Sequence, residues 1–469
     1  MPVTDTGSGV PHRWRDSFRA FLHPRVVTML FFGFSAGIPL LLIFSSLSLW
    51  LRESGVERSA VTFFSWAALG YSFKFVWAPL IDRLPLPLLT RVLGRRRAWL
   101  LVAQLAIMAA ILLMSAIDPA QGADSLTRMA LAAVTLGFSA ATQDIVIDAY
   151  RIESAETRLQ ALMSSTYIAG YRIGMVVSGA GALFLAAAFG STMDGYSYEA
   201  WRWTYAAMAG TMLVGLATTL LVPEPAGRRR DAYSYRAFDY ARLLIVFAVS
   251  AAAFVGAFFL SADPFEALKS AAGGGALTGF LLETLHFALA ISAAVLAGWL
   301  LVRLGAVDRG MARVTWVEPA LDFFKRYGLR TALLLLALIG LYRISDIVLG
   351  VISNVFYQDL GFSKPQIATA VQTFGVLISI AGGMLGGLLA TRFGVMPLLM
   401  LGAILSAATN LVYVGLAYAG NELAQLYLAV AADNLAAGVA SAGIVACLSG
   451  LTSMSFTAVQ SASFRSLMT

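Results

Sequence analysis

Apolar residues run through this chain in blocks of about twenty, parted by short polar segments. Blocks near 26–50, 61–81, 98–117, 129–150, 161–188, 203–222, 239–260, 280–302, 331–356, 366–390, 396–418 and 424–448 are each long enough to cross a bilayer, whose hydrocarbon core is ~30 Å thick. A further block opens near Phe456 and stops with the chain at Thr469, as a partial span. The pattern predicts an all-α polytopic membrane protein, because helices satisfy every backbone polar group internally where no water is available. Met1 to Pro24 is polar, and the apolar run after it is too long for a signal-peptide core, so no cleavable leader is expected.

Composition agrees. The chain is 59% hydrophobic and 13% charged, with mean hydropathy +0.77, whereas soluble domains carry roughly 25% charged residues. The net charge of +7 reflects where the arginines sit rather than a nucleic-acid partner, and none is expected. Arg13, Arg15, Arg19 and Arg25 precede the first block; Arg83, Arg91, Arg95, Arg96 and Arg97 follow the second. Arg228, Arg229, Arg230 and Arg236 follow the sixth, and Arg303, Arg309, Arg313, Lys325, Arg326 and Arg330 precede the ninth. The alternate loops are short and near neutral or acidic, so the positive-inside rule places the N-terminus in the cytoplasm. The lone Cys447 excludes an internal disulfide and a cysteine metal site. No phosphate-loop or H-E-x-x-H motif occurs, so neither ATPase nor enzyme chemistry is expected, and no cofactor or metal is required.

The chain also carries an internal echo. Asp82-Arg83 followed by Gly94-Arg95-Arg96-Arg97 is similar to Thr391-Arg392-Phe393-Gly394, and Asp144 is echoed by Asp433-Asn434. Both stretches resemble the G-x-x-x-D-R-x-G-R-R loop of a major facilitator half, the first with Leu84 to Val92 inserted and the second lacking the acid. Such proteins are built of two parallel six-helix halves. The expected organisation is a cytoplasmic segment over 1–24, a first half over 25–222, a linker with two extra membrane helices over 223–329, and a second half over 330–469. On this symmetry the second half lacks most of its fifth helix and all of its sixth.

"SAATQDIVIDAYRIE" at 139–153, "ALMSSTYIAGYRIG" at 161–174 and "APLIDRLPLPLLTRVLGRRRAWLL" at 78–101 resemble the AmpG muropeptide permeases of Gram-negative bacteria. The resemblance covers the first six spans and extends more loosely over the rest. It implies a location in the bacterial inner membrane and proton-driven import of anhydro-muropeptides for peptidoglycan recycling. The related acetyl-CoA transporters share a similar Gln-Asp element.

Polar residues inside the spans are the candidates for chemistry, since an ionisable group at membrane depth costs at least ~2.5 kcal/mol and marks ion, proton or substrate work by default. Asp144 and Asp148 stand four residues apart on one helix face, a proton-coupling arrangement. Asp144 is the stronger candidate, with Gln143 beside it. Lys74, Arg172 and Arg343 are read either as anchors for an anionic substrate or as internal salt-bridge partners, Arg343 having Asp346 at i+3. Tyr71, Tyr167 and Tyr171 are read either as rings on which sugar faces stack or as packing and lipid-facing residues, with Tyr71 and Tyr167 the ones directed to the cavity. Asp148 and Arg151, at the end of the fourth span, are expected to join Glu153 and Arg158 in a cytoplasmic gate against Asp82, Arg83 and Arg95 to Arg97. Glu283 and His286, in the extra pair, read as structural. The spacings Gly33/Gly37, Gly170/Gly174, Gly382/Gly386 and Gly383/Gly387 predict close helix crossings.

The main expectation is a monomeric, lipid-embedded, proton-coupled importer of GlcNAc-anhydroMurNAc and its peptides. Two rivals stand beside it: a transporter of acetyl-CoA-type or other anionic solutes, and a non-transporting membrane sensor on the same fold.

Overall fold

The computed structural model describes residues 19–56, 71, 73–154, 157–192, 195–225, 235–272, 275–342, 353, 356–357, 359–453 and 455–466. Apart from a lone bridge between Thr192 and Gly195, these residues form helices and turns. In chain order come α1 (Pro24–Glu53), α2 (Ala78–Arg83), α3 (Arg95–Ser115), α4 (Ala123–Ser154), α5 (Leu159–Ala188) and α6 (Tyr198–Leu221). Then follow α7 (Ala237–Leu260), α8 (Ala276–Arg303) and α9 (Glu318–Tyr327). Last are α10 (Leu329–Tyr342), α11 (Thr369–Phe393), α12 (Val395–Ala419), α13 (Leu423–Leu451) and α14 (Thr457–Ser466). Among the described residues, ten helices are long and apolar enough to cross a membrane.

Most of the block expected at 61–81, and the end of that at 331–356, lie outside the described residues. What is described of the former is not one continuous helix. Lys74–Val76 form a 3-10 turn before α2. Pro79 is the second residue of α2, a position where its missing N–H costs no helical hydrogen bond.

The chain divides into two compact units, one of residues 1–82, 86–227 and 327–469, the other of 83–85 and 228–326. In the second unit α7 packs along α8. His286 is stacked between Phe258 and Phe265, at 4.3 and 4.5 Å, with Nε2 2.9 Å from the Phe258 carbonyl. Glu283 pairs with Lys269, which also holds Glu266 at 2.8 Å. These side chains tie the hairpin together.

In the first unit the tightest packing is between α1 and α5. Lipid gives little hydrophobic drive for helices to associate, so close backbone approach and dispersion must supply it. A Cβ at Gly33 or Gly37 would fall inside the carbonyls of Tyr167 or Tyr171, and one at Gly170 or Gly174 inside those of Leu30 or Phe34. The two glycine pairs therefore interlock. Gly382 and Gly386 of α11 repeat the device against Leu435 and Val439 of α13. Beyond the glycines, each partner of the first crossing carries a π-helical turn, Leu42–Ser46 in α1 and Val177–Gly181 in α5, joined by Ser46 Oγ donating to the Ser178 carbonyl at 2.9 Å.

The internal echo is visible in the backbone. Gly94 at the head of α3 has φ 89° and ψ 173°, and Gly394 at the head of α12 has φ 88° and ψ 170°. That positive-φ conformation strains any residue with a Cβ. At the opposite end of the first six helices, Trp50 stacks on Trp201 at 5.6 Å. Glu53 there accepts from Ser191 Oγ at 2.6 Å and Trp201 Nε1 at 2.7 Å. Tyr196 donates to Asp118 at 2.7 Å, and burial together with that carboxylate raises the phenol's pKa.

Candidate functional site

The site is built on α4. The helix runs to Ser154, which puts Arg151 in its last turn with Asp148 just before it, and both are buried. Asp144, one turn further in, is 7% exposed and accepts a hydrogen bond from the Tyr167 hydroxyl of α5 at 3.1 Å. The charges acting most strongly on Asp144 are those of Lys74, Asp148 and Arg465. Lys74 is 5% exposed and forms no ion pair among the described residues, although Asp144 and Asp148 both act on it. An ammonium kept from water without a direct partner is costly. The Tyr71 hydroxyl is likewise buried and lacks a partner among the described residues, while Tyr171 packs 6.1 Å from Tyr167. Gln143 is fully enclosed, and neither end of its carboxamide has a partner among the described residues.

Arg465 on α14 was not anticipated. Its Nη2 lies 2.7 Å from Asp148 Oδ1, and its guanidinium sits 5.9 Å from the Tyr167 ring centroid. Asp148 also pairs with Arg151 at 3.6 Å. Arg151 in turn donates through Nη1 to Gln160 Oε1 (3.2 Å), Ser164 Oγ (2.8 Å) and Ser449 Oγ of α13 (2.8 Å). Asp148 and Arg151 thus form a set of their own instead of joining the arginine cluster after α2. The physical reason is helix phase: three or four residues keep them on the Asp144 face, while Glu153 turns away.

Glu153 is the α4 residue that meets the arginine cluster. Arg96 reaches it through Nε at 3.0 Å and reaches Asp82 Oδ1 at 2.7 Å, with Arg95 3.4 Å from Glu153. Asp82 also accepts the backbone N–H groups of Ala458 (3.3 Å) and Val459 (3.0 Å), the unsatisfied first turn of α14. Thr457 Oγ1 accepts from Arg96 at 2.7 Å and donates to Glu153. Glu224 closes the other side, accepting from the N–H groups of Arg96 (2.8 Å) and Arg97 (3.1 Å) at the head of α3. Two clusters at the arginine-rich end therefore join residues before 225 to residues after 327. Beside them Gly387 of α11 sits so close to Ser165 of α5 that a Cβ would meet its Oγ.

Other expected residues fall elsewhere. Arg172 is half-buried beside Tyr171, on which its charge acts. Arg83 is half-buried at the end of α2. Arg343 and Asp346 lie outside the described residues, as does the side chain of Arg158. Sequence reading also passed over Thr457, Ser449 and Glu224. The available signal for Arg465 was an isolated arginine in an otherwise uncharged run from Phe456.

Solved structures share this architecture. The proton:xylose symporter XylE bound to 6-bromo-6-deoxy-D-glucose matches at TM-score 0.53 and 14% identity, over 97% of this chain and 87% of its own. A double-tryptophan XylE mutant matches at TM-score 0.54 and 14% identity, covering 96% and 86%. Ten long apolar helices in this arrangement give the chain the major facilitator fold. In sequence the chain is similar to proteins named AmpG or anhydromuropeptide permease. A protein of Rickettsia felis named AmpG 4 is 26% identical over 442 residues, 94% of this chain and 86% of the relative. The anhydromuropeptide permease of Escherichia coli K12 is 28% identical over 443 residues, covering 94% and 71%. A family model described as acetyl-coenzyme A transporter 1 matches residues 26–196.

Proposed function

We propose that this permease imports anhydro-muropeptides, GlcNAc-anhydroMurNAc and its peptides, across the bacterial inner membrane and couples their entry to protons. The observation that carries the reading is the pair of carboxylates on α4: Asp144 accepts from a phenol and has no ion pair among the described residues, while Asp148 is clasped by Arg465. The likeness to a protein named anhydromuropeptide permease, over 94% of this chain and 71% of that protein, supports the substrate class.

Asp144 takes the proton. Tyr167 links it to the clasp, because its hydroxyl donates to Asp144 while its ring lies against Arg465. Neutralising Asp144 weakens the field that holds Lys74 and Arg465, and the Asp148 clasp loosens. Lys74 then serves an anionic peptide carboxylate, with Tyr71, Tyr171 and Arg172 lining the approach and Gln143 supporting Asp144. Asp82, Arg95, Arg96 and Glu153 form the cytoplasmic gate, with Arg151 bracing the clasp. Breaking one buried pair costs about 3–5 kcal/mol, close to the ~5.5 kcal/mol that reverses a 1:99 equilibrium. The two clusters together are of the size an alternating-access switch requires.

Arg465→Asp alone is expected to open the arginine-rich end, widening the spin-label distance between α5 and α11. Adding Asp148→Arg restores the narrow distribution. Identical distances in all three proteins would remove the clasp from the mechanism.

The match of residues 26–196 to an acetyl-coenzyme A transporter model favours acetyl-CoA as the second reading. Proteoliposomes with an imposed inward proton gradient decide between them. Labelled anhydro-muropeptide is expected to accumulate and to be displaced by its own unlabelled form but not by acetyl-CoA. Displacement by acetyl-CoA alone transfers the assignment to the second reading, and no uptake of either leaves the sensor.

A further inference from the structure

A groove of about 340 Å³ runs between α1 and α6 on the first unit, lined by Val27, Phe31, Val214, Ala217 and Leu221 among others. Its walls are apolar and open, Phe31 being 42% and Leu221 85% exposed. At its arginine-rich end the chemistry changes. Arg25 lies one turn before Thr28 of the groove, is exposed, and forms no ion pair among the described residues. Arg97 reaches the same end from α3, donating through Nε to the Thr219 carbonyl at 2.9 Å and through Nη2 to that of Leu220 at 2.7 Å. Tyr150 of α4 lies at this end too, its hydroxyl donating to the Pro223 carbonyl at 2.9 Å, and the charges of Arg97 and Arg25 both act on it. The nearby carboxylate, Glu224, is occupied by the N–H groups of Arg96 and Arg97.

We infer that this groove is a binding site for one anionic phospholipid, its acyl chain lying along Val27, Phe31 and Ala217 and its phosphate on Arg25 and Arg97. The site has the two parts such a molecule needs, an apolar slot and two guanidinium groups toward one end of it. Charge complementarity selects the occupant: an apolar slot that ends at two arginines suits an acyl chain carrying an anionic headgroup. The occupant is a bilayer lipid rather than the transported solute, since the groove opens outward and contains none of Lys74, Asp144 or Tyr167.

The test uses the purified full chain and native mass spectrometry, with phosphatidylglycerol or phosphatidylcholine of identical acyl chains. Wild type is expected to retain phosphatidylglycerol preferentially. Arg25→Gln lowers that preference about fivefold, the effect of one arginine near a lipid phosphate. Ala217→Phe, which fills the slot, lowers retention of both lipids. Equal retention of the two lipids by wild type, or an unchanged preference in Arg25→Gln, overturns the site. A measurement needing no variant is labelling by phosphatidylglycerol with a diazirine in its acyl chain. Labels gathered on 24–31 and 214–222 uphold the site, and even labelling of all outward-facing helices refutes it.

Discussion

Asp144→Asn is expected to reduce gradient-driven uptake by roughly a hundredfold, about 2.7 kcal/mol, the size of one hydrogen bond to a buried charged group. The amide has the shape of the protonated acid, so it keeps the Tyr167 contact but cannot release a proton. Substrate counterflow without a gradient should therefore stay within a few-fold of wild type. Asp148→Asn is expected to behave differently. It unclasps Arg465 and alters gradient-driven uptake and counterflow together, because the seam between the halves is common to both. Gradient-driven uptake by Asp144→Asn at the wild-type rate would end the assignment of the proton to that carboxylate.

The largest effect on stability is expected at Gly170. An added Cβ there falls inside the Leu30 carbonyl and against the Phe34 N–H, both of them backbone atoms that no rotamer change can move. Gly170→Ala should therefore destabilise by more than about 4 kcal/mol, the range reserved for overpacking that cannot relax. Gly210 of α6 is the matched control, since nothing lies within 4 Å of the Cβ it would gain. Gly210→Ala is expected to be neutral or to stabilise by up to ~1 kcal/mol through helix propensity. Thermal unfolding of both variants in the same detergent checks the contrast. Equal midpoints would mean that the α1–α5 crossing yields.

These two sites mark what sequence reading reaches. Glycine spacing identified the crossing, because a G-x-x-x-G pair on a membrane helix has few other uses. The burial of Asp144 agrees with its place in an apolar block, and block length was enough to find the ten long helices. The partners of the carboxylates were not legible. Arg465 lies in a run with little hydrophobicity, Thr457 to Ser466, read only as the start of a helix. Its meeting with Asp148 depends on how the second half leans on the first. The grouping of Asp148 with the arginines after α2 failed for a similar reason. Sequence proximity to Glu153 suggested one network, whereas helix phase and the arrival of α14 made two.

The acids of both clusters come from one side of the seam. Asp82, Asp148 and Glu153 all precede residue 225, while α14 answers them with Arg465, the Thr457 hydroxyl and two backbone N–H groups. Such a seam has a chemical polarity. Every proton it gains removes an acceptor, and none of the groups that α14 contributes is a carboxylate whose charge loss tightens it. Acidification from the arginine-rich side can therefore act on this contact in one sense only, toward release.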